Sequence, residues 1–146
     1  MRQCEQEIRN QWIRVMVDVL GYPSHALVVE RELATLPLAQ GVLRRELPKR
    51  RIDLLVFYQS ACDYLPLLLV EYKAVPLHID ATRQVLGYNA YVQAPFIAVA
   101  NHEQILLGHY DAPGHMLFSW GLPPWGLPPY LTLVASATSS RCDRVD

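Results

Sequence analysis

Ile52-Asp53-Leu54-Leu55-Val56-Phe57-Tyr58, a polar stretch centred on Cys62, and then Pro66-Leu67-Leu68-Leu69-Val70-Glu71-Tyr72-Lys73 carry the clearest structural signal in the chain. Both are short and rich in β-branched, aromatic and aliphatic side chains, which suit a pleated and buried surface. They predict an antiparallel hairpin buried on both faces. On a turn centred on Cys62, residues equally distant from it pair, so Asp53 faces Glu71 and Arg51 faces Lys73. Side chains alternate with period two along a strand, which puts Lys73 on the face of Glu71. Three charged residues thus meet at one end of an apolar sheet.

Upstream, Ile8, Trp12, Val15, Met16 and Val19 recur at three- and four-residue spacing, with Glu5, Arg9 and Asp18 off that stripe. The pattern predicts an amphipathic helix over Glu5 to Leu20, closed by Gly21-Tyr22-Pro23. Ala26 to Leu33 reads as a short strand. The stretch that follows to Arg51 mixes Pro37, Gly41 and Pro48 with Arg44, Arg45, Lys49, Arg50 and Arg51, and reads as a second strand or a long loop. Downstream, Pro76 closes the hairpin, and Ile79 to Gln93 has helical spacing with Asp80 as N-cap. Phe96-Ile97-Ala98-Val99-Ala100 is a buried strand and Gln104 to Tyr110 another, with Asn101-His102 as the turn between them. The class is α/β with a mixed sheet.

Past Asp111 the texture changes, because Trp120-Gly121-Leu122-Pro123-Pro124 repeats at once as Trp125-Gly126-Leu127-Pro128-Pro129. Proline lacks an N–H and fixes φ, so the repeat predicts a polyproline-like, Pro-rich C-terminal strap lying on the domain. A motif for a partner that binds Pro-rich segments is the second reading. The small, polar residues Ser136 to Asp146 predict a frayed end. The division expected is a domain over residues 1–130 and a partly disordered tail over 131–146.

With 146 residues, the chain has the length of one domain. Hydrophobic residues make up 51% and charged ones 18%, below the roughly 25% charged content of average soluble proteins, which excludes disorder throughout. The net charge of −1 excludes nucleic-acid binding by bulk charge alone, so any such contact must be local. Cys4, Cys62 and Cys142 form neither a CxxC zinc pattern nor a disulfide scaffold. The polar start fits no signal peptide, and no apolar run approaches the ~18 residues of a membrane span. A cytoplasmic protein with no membrane contact is expected.

Two carboxylates opposite each other in a sheet repel, and the cost grows if they are buried. A positive group must offset them. Lys73 supplies part, and a divalent cation supplies the rest: carboxylate oxygens with bound waters are the ligand set of Mg²⁺ or Mn²⁺. A cation there lowers the pKa of a water and stabilises a phosphorane-like transition state, with Lys73 orienting the nucleophile. The chemistry implied is phosphodiester hydrolysis. An Asp some twenty residues before E-x-K is also common as a surface salt bridge; the apolar runs on either side of both acids separate the two cases.

The run Arg51-Ile52-Asp53 with Leu68-Leu69-Val70-Glu71-Tyr72-Lys73-Ala74 resembles the D…E-x-K core of the PD-(D/E)XK nuclease superfamily. More narrowly, Glu5 to about Tyr130 resembles the N-terminal nuclease domain of type I restriction enzyme R subunits, in a short stand-alone form. The outlying features that carry this are Glu5 with Arg9, Leu20-Gly21-Tyr22-Pro23, Glu30, Gln84 with Tyr88-Asn89, Ala94-Pro95, Ala100-Asn101 and Pro129-Tyr130.

The resemblance implies a restriction-endonuclease-like mixed β-sheet flanked by helices in the order αβββαβ. It implies a Mg²⁺- or Mn²⁺-dependent DNA endonuclease in which Asp53 and Glu71 are metal ligands and Lys73 is the catalytic lysine. Gln84 then reaches the active site or a DNA phosphate, with Tyr88 one turn later on the same helix face. A helix face packed on the sheet with polar tips is the other reading of that pair. Glu5 has two readings, a further ligand of the metal or an i,i+4 partner of Arg9, and the first is the one carried forward.

His102 stands where the family usually has Gly, which bears on the turn and not on the site. No GxxxxGK[ST] loop is present, so the chain carries no motor of its own. It acts alone, as a homodimer that cuts both strands, or is delivered by another restriction-system or helicase subunit. His25, His78, His102, His109 and His115 lack zinc-ligand spacing, and Ser60, Cys62 and Cys4 lie in no nucleophile elbow. Arg44, Arg45, Arg50 and Arg51, beside Asp53, are the best local candidates for phosphate contact, because the guanidinium fork suits it. The competing functional class is a catalytically inactive nucleic-acid-binding or scaffold domain of a larger complex.

Overall fold

The computed structural model describes residues 4–36 and 50–143. In chain order its elements are α1 (Glu5–Asp18), β1 (Leu27–Glu32), β2 (Arg51–Ser60), β3 (Asp63–Tyr72), α2 (Thr82–Val92), β4 (Phe96–Ala100), β5 (Ile105–Ala112), β6 (His115–Gly121) and α3 (Tyr130–Asp143). The first six follow the expected αβββαβ order. The strands form one sheet in sequence order, from β1 at one edge to β6 at the other. Among the described residues, only β3 and β4 pair in parallel; a tight turn cannot join parallel strands, and α2 makes that crossover.

Each face of the sheet is covered. On one, Ile8, Trp12 and Met16 of α1 and Leu133 and Ala137 of α3 pack against Leu54, Val56, Leu68 and Val70. On the other, Val85, Tyr88 and Val92 of α2 pack against Leu55, Phe57, Leu69, Ile97 and Val99. Because β3 and β4 lie between helical layers, their apolar runs are continuous and not alternating. Fully burying each large aliphatic side chain there contributes about 1.5–3 kcal/mol. The end of α1 depends on Gly21, at φ 75, which turns the chain so that the Tyr22 N–H reaches the Met16 carbonyl at 2.9 Å. Tyr22 then donates its hydroxyl to the Pro128 carbonyl and meets the Tyr130 ring edge-on, docking α1 against the start of α3.

The hairpin forms as expected, but its turn is not centred on Cys62. Ser60 pairs with Asp63, leaving Ala61-Cys62 as a two-residue turn with Ala61 at φ 54. That register holds only to Phe57 and Pro66; the next pair is Val56 with Leu68, so Leu67 is an extra residue and β3 bulges. Proline has no N–H for a ladder, and inside a sheet it is confined to edges and bulges. Pro66 stands beside this bulge. The one-residue shift restores the pairing that a turn at Cys62 would have given: Leu54 opposite Val70, one step from Asp53 and Glu71. The other inferred pair, Arg51 with Lys73, does not form. β3 ends at Tyr72, the Lys73 N–H bonds the Ala100 carbonyl, and the cross-strand partner of Arg51 is Glu32.

Three further expectations are corrected. The second helix starts later than Ile79: a 3-10 turn over Ile79–Ala81 precedes α2, and Asp80 lies inside that turn. The capping acceptor there is the His78 ring, which takes the Asp80 N–H at 3.2 Å. The chain after Asp111 is no simple strap, because His115–Gly121 is the strand β6, which takes in the first Trp-Gly of the repeat. The rest folds into tight turns, with the Gly126 N–H on the Leu122 carbonyl and the Leu127 N–H on that of Pro124. Nor is the stretch after Tyr130 a tail. It forms α3, anchored by the Tyr130 N–H on the Leu20 carbonyl and by burial of Leu133 and Ala137, one turn apart.

Candidate active site

Asp53 sits where β2 loses its ladder on both sides. Towards β1 the pairs Val29–Leu54 and Arg31–Ile52 form, but Glu30, opposite Asp53, has φ 50 and is skipped. Left-handed backbone is uncommon outside glycine and strains a strand locally. Towards β3 the ladder stops at Leu54–Val70. Beyond that point the Asp53 side chain takes over as acceptor: its Oδ2 receives the Tyr72 N–H at 2.7 Å. The sheet opens at one end, and the carboxylate lies in the opening.

Glu71 is on the adjacent strand and only 3% exposed. Its Oε1 is buried without a hydrogen-bond partner. Burial first, then the Asp53 charge and a hydrogen bond between the two carboxyls, push the Glu71 pKa from 4.5 up to about 9; Lys73 and the Asp53 backbone pull it back. In this environment Glu71 holds its proton at neutral pH unless further positive charge arrives.

Lys73, two residues on, is half-buried and donates from Nζ to Gln84 Oε1 at 2.8 Å. Gln84 in turn donates from Nε2 to the Tyr88 hydroxyl at 3.0 Å, one helical turn along α2. The chain Lys73–Gln84–Tyr88 orients the ammonium group from the helix side. Tyr88, expected at the nucleic acid, is 5% exposed with its ring in the core beneath α2, and its hydroxyl accepts from Gln84. Asn89 and Asn101 fix the two loops beside this region. Asn89 brackets the Ala94 backbone with both side-chain atoms. Asn101 accepts the N–H groups of Glu103 and Gln104 and donates to the Val75 carbonyl, so the His102 turn closes without glycine.

On the α1 side a cleft of about 230 Å³ is lined by Glu5, Gln6, Arg9, Glu30 and Asp53. Arg9 does not pair with Glu5. It is 7% exposed, ion-paired with Glu30, and bonded to Asn10. Glu5 is exposed on the cleft wall. Among the described residues no three Asp, Glu, His or Cys side chains are gathered to hold a metal, so the set Asp53, Glu71 and Glu5 is not assembled as one. The cleft roles of Gln6, Arg9 and Glu30 were not legible from periodicity, because they depend on the left-handed turn at Glu30. Arg50 and Arg51 are exposed at the start of β2, while Arg44, Arg45 and Lys49 lie outside the described residues.

A divalent cation fits the pair. An unpartnered buried carboxylate oxygen beside a second carboxylate is an acceptor surplus that a hard cation satisfies. Asp53 and Glu71 would hold it, with water or substrate oxygens completing the shell, as Mg²⁺ prefers.

A mixed sheet flanked by helices, opened beside a D…E-x-K pair of strands, defines a restriction-endonuclease-like fold and a nuclease-type domain. The chain belongs to the type I restriction enzyme R protein N-terminus family, whose model matches residues 4–117. That span runs from α1 into β6 and includes Asp53, Glu71, Lys73, Gln84 and Tyr88. No curated protein and no solved structure matches the chain. Among the described residues, no helix is long and apolar enough to cross a membrane.

Proposed function

We propose that this domain hydrolyses phosphodiester bonds in DNA as a Mg²⁺- or Mn²⁺-dependent endonuclease, with Asp53 and Glu71 as the metal ligands. The observation that carries the proposal is the orphaned, buried Glu71 Oε1 beside Asp53 in otherwise apolar strands. A carboxylate pair in such a place is costly without a cation. A bound cation supplies Lewis acidity toward a phosphoryl oxygen and a more acidic water.

The protein's own groups do the rest. Lys73, aimed by Gln84 and braced through it by Tyr88, orients the attacking water and offsets charge developing on the phosphoryl oxygens. The Tyr72 N–H fixes the Asp53 rotamer. Arg50 and Arg51, exposed beside the opened end of β2, reach the DNA backbone, and Arg44 and Arg45 extend that basic group in the sequence. Glu5 lines the same cleft as Asp53 and would add negative charge near a cation held by the pair. Another subunit of a restriction system, or a helicase, brings the domain to DNA, and the cytoplasm is where such a system works.

Plasmid cleavage in Mg²⁺ or Mn²⁺ tests this, with Asp53→Ala and Lys73→Ala as controls. Loss of at least about a hundredfold in rate is expected in both variants. Equal cleavage by wild type and variants would sink the proposal. One observation favours a second reading, an inactive nucleic-acid-binding or scaffold domain: no third acidic ligand is gathered at the pair among the described residues. That reading predicts no cleavage, with metal-independent DNA binding that weakens steeply with salt and on replacing Arg44 and Arg45 by Ala.

A further inference from the structure

β6 closes one end of the sheet and, among the described residues, pairs with β5 alone. Its outer row of backbone N–H and C=O groups is a template for another strand unless charge, proline or a kink guards it. The opposite edge is guarded: β1 carries Glu30, Arg31 and Glu32, with the left-handed residue at Glu30. β6 has none of these devices. From Met116 to Ser140 the sequence contains no charged side chain, and the prolines fall after the strand. Leu117, Trp120, Leu122 and Trp125, four of the large apolar side chains left exposed, lie within nine residues here; Trp120 is 52% and Trp125 73% exposed.

We propose that β6 is a self-association edge: two copies of the chain pair antiparallel through β6, about a two-fold axis at Phe118, into one continuous sheet. In that register Leu117 faces Ser119 of the second copy, Met116 faces its Trp120, and His115 faces its Gly121. No like charges meet. Antiparallel self-pairing uses the same surface on both copies and closes at two. Pairing of β6 with the charged β1 edge would instead leave free edges and propagate. β6 carries no Asp, Glu, Lys or Arg, and its His115 is already paired with Asp111, so a second copy of the same neutral edge meets it without charge repulsion. The four exposed side chains offer on the order of 400–500 Å², about half of the roughly 800 Å² per partner in a standard interface. That is the scale of a weak dimer that forms at high concentration, and the paired edge backbone adds to it. Such a dimer carries two Asp53–Glu71 pairs, the number that cutting both strands of a duplex calls for; the association itself does not depend on nuclease activity.

Size-exclusion chromatography with light scattering on the 146-residue chain, from about 1 to 200 µM, reads the association directly. The wild type is expected to be a dimer that dissociates on dilution. Leu117→Lys with Ser119→Lys places lysines face to face across the axis and should weaken the dimer by about a hundredfold or more. Both positions are exposed, so the monomer should melt as a folded protein. Leu117→Glu with Ser119→Glu should also be monomeric alone, and mixing it with the lysine variant should restore a dimer containing one of each. A wild type that stays monomeric at the highest concentration overturns the proposal. So does a dimer indifferent to the lysines, or a mixture that fails to associate.

Discussion

Replacing Glu71 by Gln in metal-free protein should make the chain more stable, and increasingly so as pH rises. The unfolded chain releases the Glu71 proton near the ordinary value of 4.5, whereas the native chain keeps it to about 9. Below pH 4.5 both states carry the proton and the group contributes no pH dependence. Between the two values the unfolded state binds fewer protons than the native state, so stability falls as pH rises, by at most about 1.4 kcal/mol per unit. Gln cannot ionise, and its amide keeps a donor for Asp53, so the variant escapes this loss. From pH 5 to pH 8 the ceiling on the widening gap is about 4 kcal/mol, and water entry at the opened end of β2 should reduce it to about 2. Urea melts in EDTA at pH 5, 6.5 and 8 measure it; a gap of 2 kcal/mol corresponds to roughly 4–8 °C in melting temperature for a chain of this size. The comparison subtracts the pH dependence of every other group. A gap that stays constant from pH 5 to pH 8 would show that Glu71 is not held protonated, and would remove the argument that the pair awaits a cation.

Tyr88→Phe removes only the hydroxyl that accepts from Gln84 Nε2. It should cost about 1 kcal/mol of stability and lower DNA cleavage about as much as Gln84→Ala, with the double variant no worse than either. Additive losses in single-turnover rates would contradict a shared role through Lys73. Leu133→Ala should destabilise the fold by about 2–5 kcal/mol in urea titrations, because α3 is part of the core; a value near zero would return residues 131–146 to the status of a tail. Gly126→Ala should cost about 1–3 kcal/mol, since its Cβ would stand 2.6 Å from Ile105 Cγ2 and 2.9 Å from the Gly121 Cα. A neutral result in thermal melts would mean that the repeat does not pack glycine against glycine as described.

The site was legible where chemistry is local to the strands. Asp53, Glu71 and Lys73 stand out as candidates because charge is rare inside apolar strand runs, whereas Gln84 and Tyr88 enter only through the family resemblance, since helical spacing alone fits a packed helix face equally well. What could not be read was how the acids reach one face. The turn is Ala61-Cys62, and with an unbroken ladder from it Asp53 would oppose Val70, sending Glu71 to the other side of the sheet. The bulge at Leu67, beside Pro66, corrects that register. A count from an assumed turn reached the same pairing because a misplaced centre and an unforeseen bulge offset each other.

The element order through β4, the apolar identity of the central strands and the types of residue available for chemistry could be read before any fold was known, since they follow from periodicity and composition over a few residues. The rest was set by packing in three dimensions. The kink at Glu30 frees Asp53 from its ladder, Arg9 is drawn to Glu30 and away from Glu5, and the second Trp-Gly turn packs on the first. The small, polar end of the chain becomes a helix because Leu20, Tyr22 and the β2–β3 face offer it a surface to cover. Each of these outcomes depends on contacts between residues distant in sequence, and neither local propensity nor spacing encodes them.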